Sequence, residues 1–514
     1  MAIQWSGLGP ELPLRLDRGT GLPLRAQLEA GLREAVRSGR ISSGERLPSS
    51  RELARELGIS RGLVQDCYSQ LLSEGYLTSQ AGSATRVADG AYPAPPGPPR
   101  RPEPPPRLIA DFRAEVPDLA SFPRGDWAWA TRQACGSVPV ADLDYGDPRG
   151  SAVLRRLLAG YLRRVRAAAA SPEQIIVSTG FAQGVALVLR ALARAGVRYA
   201  AFEDPGYGCA DASDTVRAAA MGLKPVHVPV DDQGIDVAAL QASGAQAVIV
   251  TPAHQSPTGV VLAAARRHAL VDWACRHDAF IIEDDYDSEF RYDREPVGVV
   301  QGLAPDRVFT IGTVSKALAP AVRLGWVLAP PSFADAVAAE KQISDRGSST
   351  LDQLAMAALL ESGRYDRHLR RMRAIYARRR TGLIAALSRH APGVRLTGLA
   401  AGFHAVAHLP AAADEQAAVA AARERSVGLY GMTSYRATAA PAPPQLVLGF
   451  GNVSDRAIEP GIAAVAGLLS LPISRHSSSG QTATSRAQHG MAALAAQIPP
   501  AYPANHAGDT EAGQ

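Results

Sequence analysis

Lysine is nearly missing from this chain. Among 514 residues there are three, Lys224, Lys316 and Lys341, against 51 arginines. Arginine keeps its proton at neutral pH, whereas a buried lysine can be tuned into a nucleophilic amine. Each surviving lysine is therefore a candidate chemical group. Cysteine is scarce too: Cys67, Cys135, Cys209 and Cys275 lie far apart without CxxC or CxxH spacing, which suggests neither a disulfide framework nor a metal site. No run of about 18 uncharged apolar residues occurs, so no membrane-spanning helix and no membrane partner are expected. The opening MAIQWSGLGPELPLRLDRG has no basic stretch followed by an apolar one, which points to a cytoplasmic protein. What is present fits a globular protein. The hydrophobic share of 46% can build a large core, and 38 prolines with 47 glycines in no three-residue period exclude collagen. The length predicts two to four domains.

The clearest boundary is Asp89 to Arg107, DGAYPAPPGPPRRPEPPPR, where nine prolines in nineteen residues can join neither a helix nor a central strand. This stretch reads as a semi-extended linker over residues 89–107. It separates an N-terminal unit, 1–88, from a large segment, 108–471. Residues 472–514 lack periodicity and read as a mostly disordered tail, with a short helix at Met491–Gln497.

In the N-terminal unit, Leu24, Leu28, Leu32 and Val36 recur every four residues, predicting an amphipathic helix within Leu22–Arg40 that Gly39 ends. A second helix starts at Pro48 and Ser49 and runs to Leu57. Gly58 then makes a corner, and Ser60 opens a longer helix to Glu74. Two helices around a glycine turn form a helix-turn-helix, and the alternating segments Tyr76–Ser79 and Ala84–Ala88 add a wing. The recognition helix carries Ser60, Arg61 and Gly62 in its first turn and Gln65 one turn on, where a helix N-terminus meets phosphates and base edges. Arg51 on the preceding helix is placed for the DNA backbone. The run PLRAQLEAGLREAVRSGRISSGERLPSSRELARELGISRGLVQDCYSQLLSEGYL resembles the winged helix-turn-helix domain of the GntR family over almost its whole length. That resemblance implies DNA contacts at Arg51, Ser60, Arg61, Gly62, Gln65 and the wing-tip Gly82. The wing departs from the family's usual GSGT with Gly82-Ser83-Ala84-Thr85.

The large segment alternates short β-branched runs with helical stretches, which predicts an α/β fold with a mainly parallel sheet covered on both faces. Ligands on such sheets sit at the carboxyl ends of the strands. Polar residues gather at those ends: Thr179-Gly180, Asp284 and Tyr286, then Thr313, Ser315 and Lys316. A glycine at a helix start lets backbone N–H groups cradle a phosphate, and Arg323 can add a charged contact. A lysine, an aspartate and a tyrosine on neighbouring strand ends suit a pyridine aldehyde. The amine forms a Schiff base, the carboxylate keeps the ring nitrogen protonated and the phenol bonds the ring hydroxyl.

From about Asp111 to Leu471 the chain resembles the fold type I aminotransferases. EDPGY, TPAHQSPTG, IIEDDYDSEF and GTVSKALAPAVRLGW together look like the MocR subgroup of GntR regulators. The resemblance implies two domains, an N-terminal α+β winged helix-turn-helix and a C-terminal α/β domain binding pyridoxal 5'-phosphate. It makes Lys316 the Schiff-base lysine, Asp284 the partner of the pyridine nitrogen and Tyr286 the partner of the ring oxygen. Tyr207 would stack on the ring, and Gly180, Phe181, Thr313, Ser315 and Arg323 would hold the phosphate. Two departures stand out. Ser256, preceded by His254-Gln255, occupies the place of the asparagine that transaminases keep before PTG, and it can still bond the ring hydroxyl. Gln445–Asn452, QLVLGFGN, lacks the arginine that clamps a substrate carboxylate. Cys209 stands where an amino-acid-sensing relative can place another, leaving Arg436 as the nearest cation.

The leading reading is thus a pyridoxal-phosphate-dependent, DNA-binding transcription regulator that senses pyridoxal phosphate, or an amine or amino acid reacting at Lys316. The resemblance implies a homodimer that places two winged helices on paired half-sites of double-stranded operator DNA. One alternative is an active aminotransferase with an autoregulatory DNA-binding domain. Another is a repressor whose large domain is a dimerisation scaffold. The intact Lys316, Asp284, Tyr286 and Arg323 set speaks against the scaffold. The missing arginine and the intact DNA module speak against a dedicated enzyme, with residual transamination left open.

Overall fold

The computed structural model describes residues 14, 16–79, 84–89, 108–207, 213–292, 297–438 and 442–470. Gly82, Cys209, most of the proline-rich linker and the tail with its expected helix at 491–497 lie outside them. The chain divides into two compact units, Met1–Pro105 and Pro106–Gln514.

In the first unit the apolar spacing produces helix α1 at Leu24–Arg37, with Leu28, Leu32 and Val36 buried. Helix α2, Ser50–Leu57, begins one residue later than expected because Ser49 is its cap. The Ser49 hydroxyl accepts from the Glu52 N–H, and the Glu52 carboxylate accepts from the Ser49 N–H. Gly58 ends α2 with φ of 62°, a left-handed geometry that suits glycine. Helix α3, Arg61–Ser73, is capped by Ser60, whose side chain accepts from the Leu63 N–H. The wing strands β1, Leu77–Thr78, and β2, Arg86–Val87, pair antiparallel and are shorter than the alternation predicts. Val64, Cys67, Tyr68 and Leu71 of α3 close the core against Leu28 and Leu32. Burial pushes the Cys67 thiol up to about 12, so it packs as an inert apolar group.

The second unit is built on an eight-stranded sheet. Its strands are β3 (Ile175–Ser178), β4 (Tyr199–Asp204), β5 (Lys224–Asp231), β6 (Gly234–Ile235), β7 (Ala247–Val250), β8 (Phe280–Asp285), β9 (Val308–Thr313) and β10 (Gly325–Leu328). They lie in the order β3-β10-β9-β8-β7-β4-β5-β6, with only β10 and β6 running against the others. The mainly parallel sheet expected from the alternation is present. Every residue of β3, β7, β9 and β10 is buried, as sheets covered on both faces require. One face carries Phe181–Arg194 and Ala334–Asp345, whose Val185, Leu189 and Val337 meet Ile176, Ile311 and Val327. The other carries Ala152–Arg166 and Ala264–Arg276, which bring Leu158 and Trp273 to the sheet. Each such large apolar side chain contributes about 2 kcal/mol by leaving water. A smaller antiparallel sheet of Arg395–Thr397, His404–His408 and Gln445–Gly449 packs with the long helix Arg364–His390.

Candidate functional site

Five parallel strands deliver their carboxyl ends to one cavity of about 350 Å³. From β9 come Thr313, Ser315 and Lys316; from β8, Asp284 and Tyr286. The turn after β7 contributes Ser256, the end of β4 Tyr207, and the helix after β3 Phe181. Arg323 follows the β9 turn. Of the ten residues singled out for a cofactor, nine line this cavity, and Gly180 borders it. At Gly180 φ is +106°, and a Cβ there would sit 3.6 Å from the Arg323 guanidinium. Packing is tighter still beneath it: a Cβ on Gly325 would lie 2.9 Å from the Gly180 Cα. The N-terminus of Phe181–Arg194 thus opens beside an arginine with nothing but backbone in between, a form suited to an anion.

At the cavity's inner wall Asp284 is 8% exposed, and its Oδ1 is buried without a hydrogen-bond partner. Burial holds this carboxyl well above the ordinary carboxylate range; Asp214 pushes the same way and Lys316 opposes. Tyr286 donates from its hydroxyl to the His254 carbonyl at 3.0 Å, and burial, then Asp287, raise its phenol well above the usual value. Behind it His254 Nδ1 lies 2.8 Å from Asp287 Oδ2. With His404 these two bring one ligand atom each within 4.8 Å of one another, a cluster of a kind that can hold a metal ion. No cysteine spacing hinted at it, because its members come from distant parts of the chain. Thr313 donates to Ser315 Oγ at 2.9 Å, and Tyr207 sits edge-on to Phe181 with ring centroids 6.4 Å apart.

Sequence reasoning missed three charged residues here: Glu115, Asp214 and Arg217. Lys316 Nζ donates to the Glu115 carbonyl at 2.6 Å, and Ser256 donates to Glu115 Oε1 at 2.7 Å, so Ser256 is engaged by a carboxylate. Arg217 pairs with buried Asp214 on the helix Ser213–Ala220. Arg436 points elsewhere, with Nη2 3.4 Å from Gln445 Oε1. No local pattern marks Glu115: it lies about 200 positions from Lys316 in a loop without periodicity.

On the first unit Arg51, Ser60, Arg61, Gly62 and Gln65 are all exposed on α2, α3 and the turn between them. A Cβ at Gly62 would meet nothing within 4 Å, so this end of α3 is open to a large partner. Arg61 Nε reaches Ser50 Oγ at 3.4 Å.

Residues 24–87 match the family described as bacterial regulatory proteins, gntR family, and residues 139–447 match aminotransferase class I and II. Among curated relatives, the HTH-type pyridoxine biosynthesis transcriptional regulator PdxR of Corynebacterium glutamicum is 34% identical over 90% of this chain and 99% of its own. The probable rhizopine catabolism regulatory protein MocR of Rhizobium meliloti is 32% identical, covering 87% and 94%. Among solved structures, an archaeal alanine:glyoxylate aminotransferase overlays with a TM-score of 0.64 at 24% identity, across 79% of this chain and 94% of that one, which establishes the fold. Among the described residues no helix is long and apolar enough to cross a membrane. With a winged helix-turn-helix at one end and an aminotransferase-like domain behind it, and with regulators of that composition as relatives along nearly its full length, the chain belongs to the MocR subgroup of the GntR-family transcription regulators.

Proposed function

We propose that the second unit holds pyridoxal 5'-phosphate and uses it to sense that cofactor itself, or an amine or amino acid reacting with it, while the first unit reads operator DNA. The observation that carries this is the buried Asp284 Oδ1, which has no hydrogen-bond partner in a cavity that also presents Lys316. A buried acceptor left unmade costs about 1–3 kcal/mol, so a wall that keeps one suits a ligand with a matching donor. A protonated pyridine nitrogen is such a donor. When bound, the cofactor supplies an aldehyde that takes primary amines and a ring that delocalises charge.

The chain's own groups have distinct tasks. Lys316 is the amine that anchors the aldehyde. Asp284 would hold the ring nitrogen's proton, and a cationic ring would bring its raised pKa back down. Tyr286 and Ser256 would lie toward the ring oxygen, each turning its hydroxyl from its present acceptor, the His254 carbonyl and Glu115 Oε1, and Tyr207 would cover the ring. Gly180, Phe181, Thr313, Ser315 and Arg323 form the phosphate end. In this reading residues 1–88 are the DNA reader, 89–107 the spacer, 108–471 the sensor and 472–514 a tail, and the protein acts in the cytoplasm as a homodimer on paired half-sites. The missing carboxylate clamp argues against a dedicated aminotransferase. The test is spectroscopic: protein mixed with pyridoxal phosphate and desalted should keep a visible absorbance band, and Lys316→Ala should lose it while circular dichroism stays the same. An unchanged band in the variant defeats the assignment.

A further inference from the structure

We infer that the effector taken at this pocket is a cationic amine without an α-carboxylate, a diamine being the simplest form, and that Glu115 selects it. This rests on reading the pocket as a pyridoxal phosphate site. Glu115 touches the point where an effector's amine must arrive, because its carbonyl accepts from Lys316 Nζ at 2.6 Å. Its carboxylate is turned along the cavity wall by the Ser256 hydroxyl at 2.7 Å.

Glu115 has φ of 67°, left-handed geometry that glycine adopts freely and a residue with a Cβ does not. The fold therefore keeps a long acidic side chain at the cavity wall in a conformation that works against it.

The cations of the wall are committed in other directions. Arg323 lies against Gly180 at the phosphate end. Arg217 is paired with Asp214, three residues before it. Strand Gln445–Gly449 contains no arginine, and Arg436 is turned to Gln445. Among the described residues an α-carboxylate entering here meets a like charge without an uncommitted bidentate partner, whereas a second ammonium meets an opposite one.

The test uses full-length protein loaded with pyridoxal phosphate at one pH near neutrality and one salt concentration. Putrescine and L-ornithine, which differ only in the α-carboxylate, are titrated against the cofactor's visible absorbance. Putrescine should half-saturate at a concentration at least about tenfold lower. In Glu115→Gln the ratio should fall to within about threefold, and Glu115→Gly, which suits the left-handed backbone, should do the same. Taking the ratio within each preparation cancels any change in cofactor loading. The inference is overturned if L-ornithine binds as tightly as putrescine, if neither changes the spectrum, or if the preference survives both substitutions. A wild-type protein with no cofactor band at all defeats the underlying cofactor reading and this inference with it.

Discussion

Lys224, Lys316 and Lys341 show how one scarce residue type takes three physical roles. Lys224 is exposed and sits 5.5 Å from the centre of the Tyr199 ring. Lys341 is fully buried, yet Gln183, Asp345 and Ser348 each accept a hydrogen bond from its ammonium within 2.9 Å, so it is structural. Lys316 alone faces the cavity. Scarcity leaves three candidates, and only their surroundings separate them. Glu203 of EDPGY makes a different residue-scale prediction. Burial raises its carboxyl from the usual 4.5 to about 7, against hydrogen bonds from Thr251 and Gln255. The folded protein thus keeps a proton between those values that the unfolded chain has lost. The resulting stability is complete below about pH 4.5 and lost as pH rises through about 7, on the order of 3 kcal/mol. Glu203→Gln removes that loss. Its stability relative to wild type should rise between about pH 5 and about pH 8 in urea unfolding, and a difference that stays level with pH would contradict the assignment. At the DNA-reading surface, Arg61→Ala should weaken operator binding by about 1–3 kcal/mol while the cofactor spectrum stays the same. Loss of both would mark a misfolded variant.

At the scale of one element, strand β8 explains why EDDYD is not a solvated acidic loop. Residues alternate across the sheet, so Asp284 faces the cavity while Asp285 faces the opposite layer. There Arg166 grips it with two bonds, Nε to Oδ2 at 2.9 Å and Nη2 to Oδ1 at 2.6 Å. Glu283 accepts from the Val300 and Gln301 N–H groups, and Asp287 meets His254. The motif and its place at a strand end were legible in the sequence. Its partners were not, because Arg166 comes from a helix more than a hundred residues earlier and looks there like any arginine of a basic helical face. Glu115, Asp214 and Arg217 escaped for the same reason: tertiary closure, without any local spacing, brings them to Lys316. Conversely the α2–α3 turn was readable almost to the residue, since Ser49, Gly58 and Ser60 act through bonds to near neighbours. Arg166→Met should cost about 3–5 kcal/mol by stranding the Asp285 charge, and adding Asp285→Leu should recover much of that. Urea midpoints for wild type, single and double variants measure it, and a single variant as stable as wild type would show that the pair contributes nothing.

For the whole molecule the question is whether an event at Lys316 reaches the winged helix. A ligand shifts such an equilibrium only by as much as it prefers one arrangement over another. The pocket and the DNA-reading surface belong to separate compact units, so a sensor must let occupancy of the first change the affinity of the second. The most direct measurement is a binding titration of the full-length protein against its own upstream DNA at one salt concentration, with the pocket empty, loaded with pyridoxal phosphate, and loaded with the addition of an amine. At least one loaded state should differ from the empty one by about fivefold or more in apparent affinity, and Lys316→Ala should remove the difference. Superimposable curves in all three states would contradict the sensor reading.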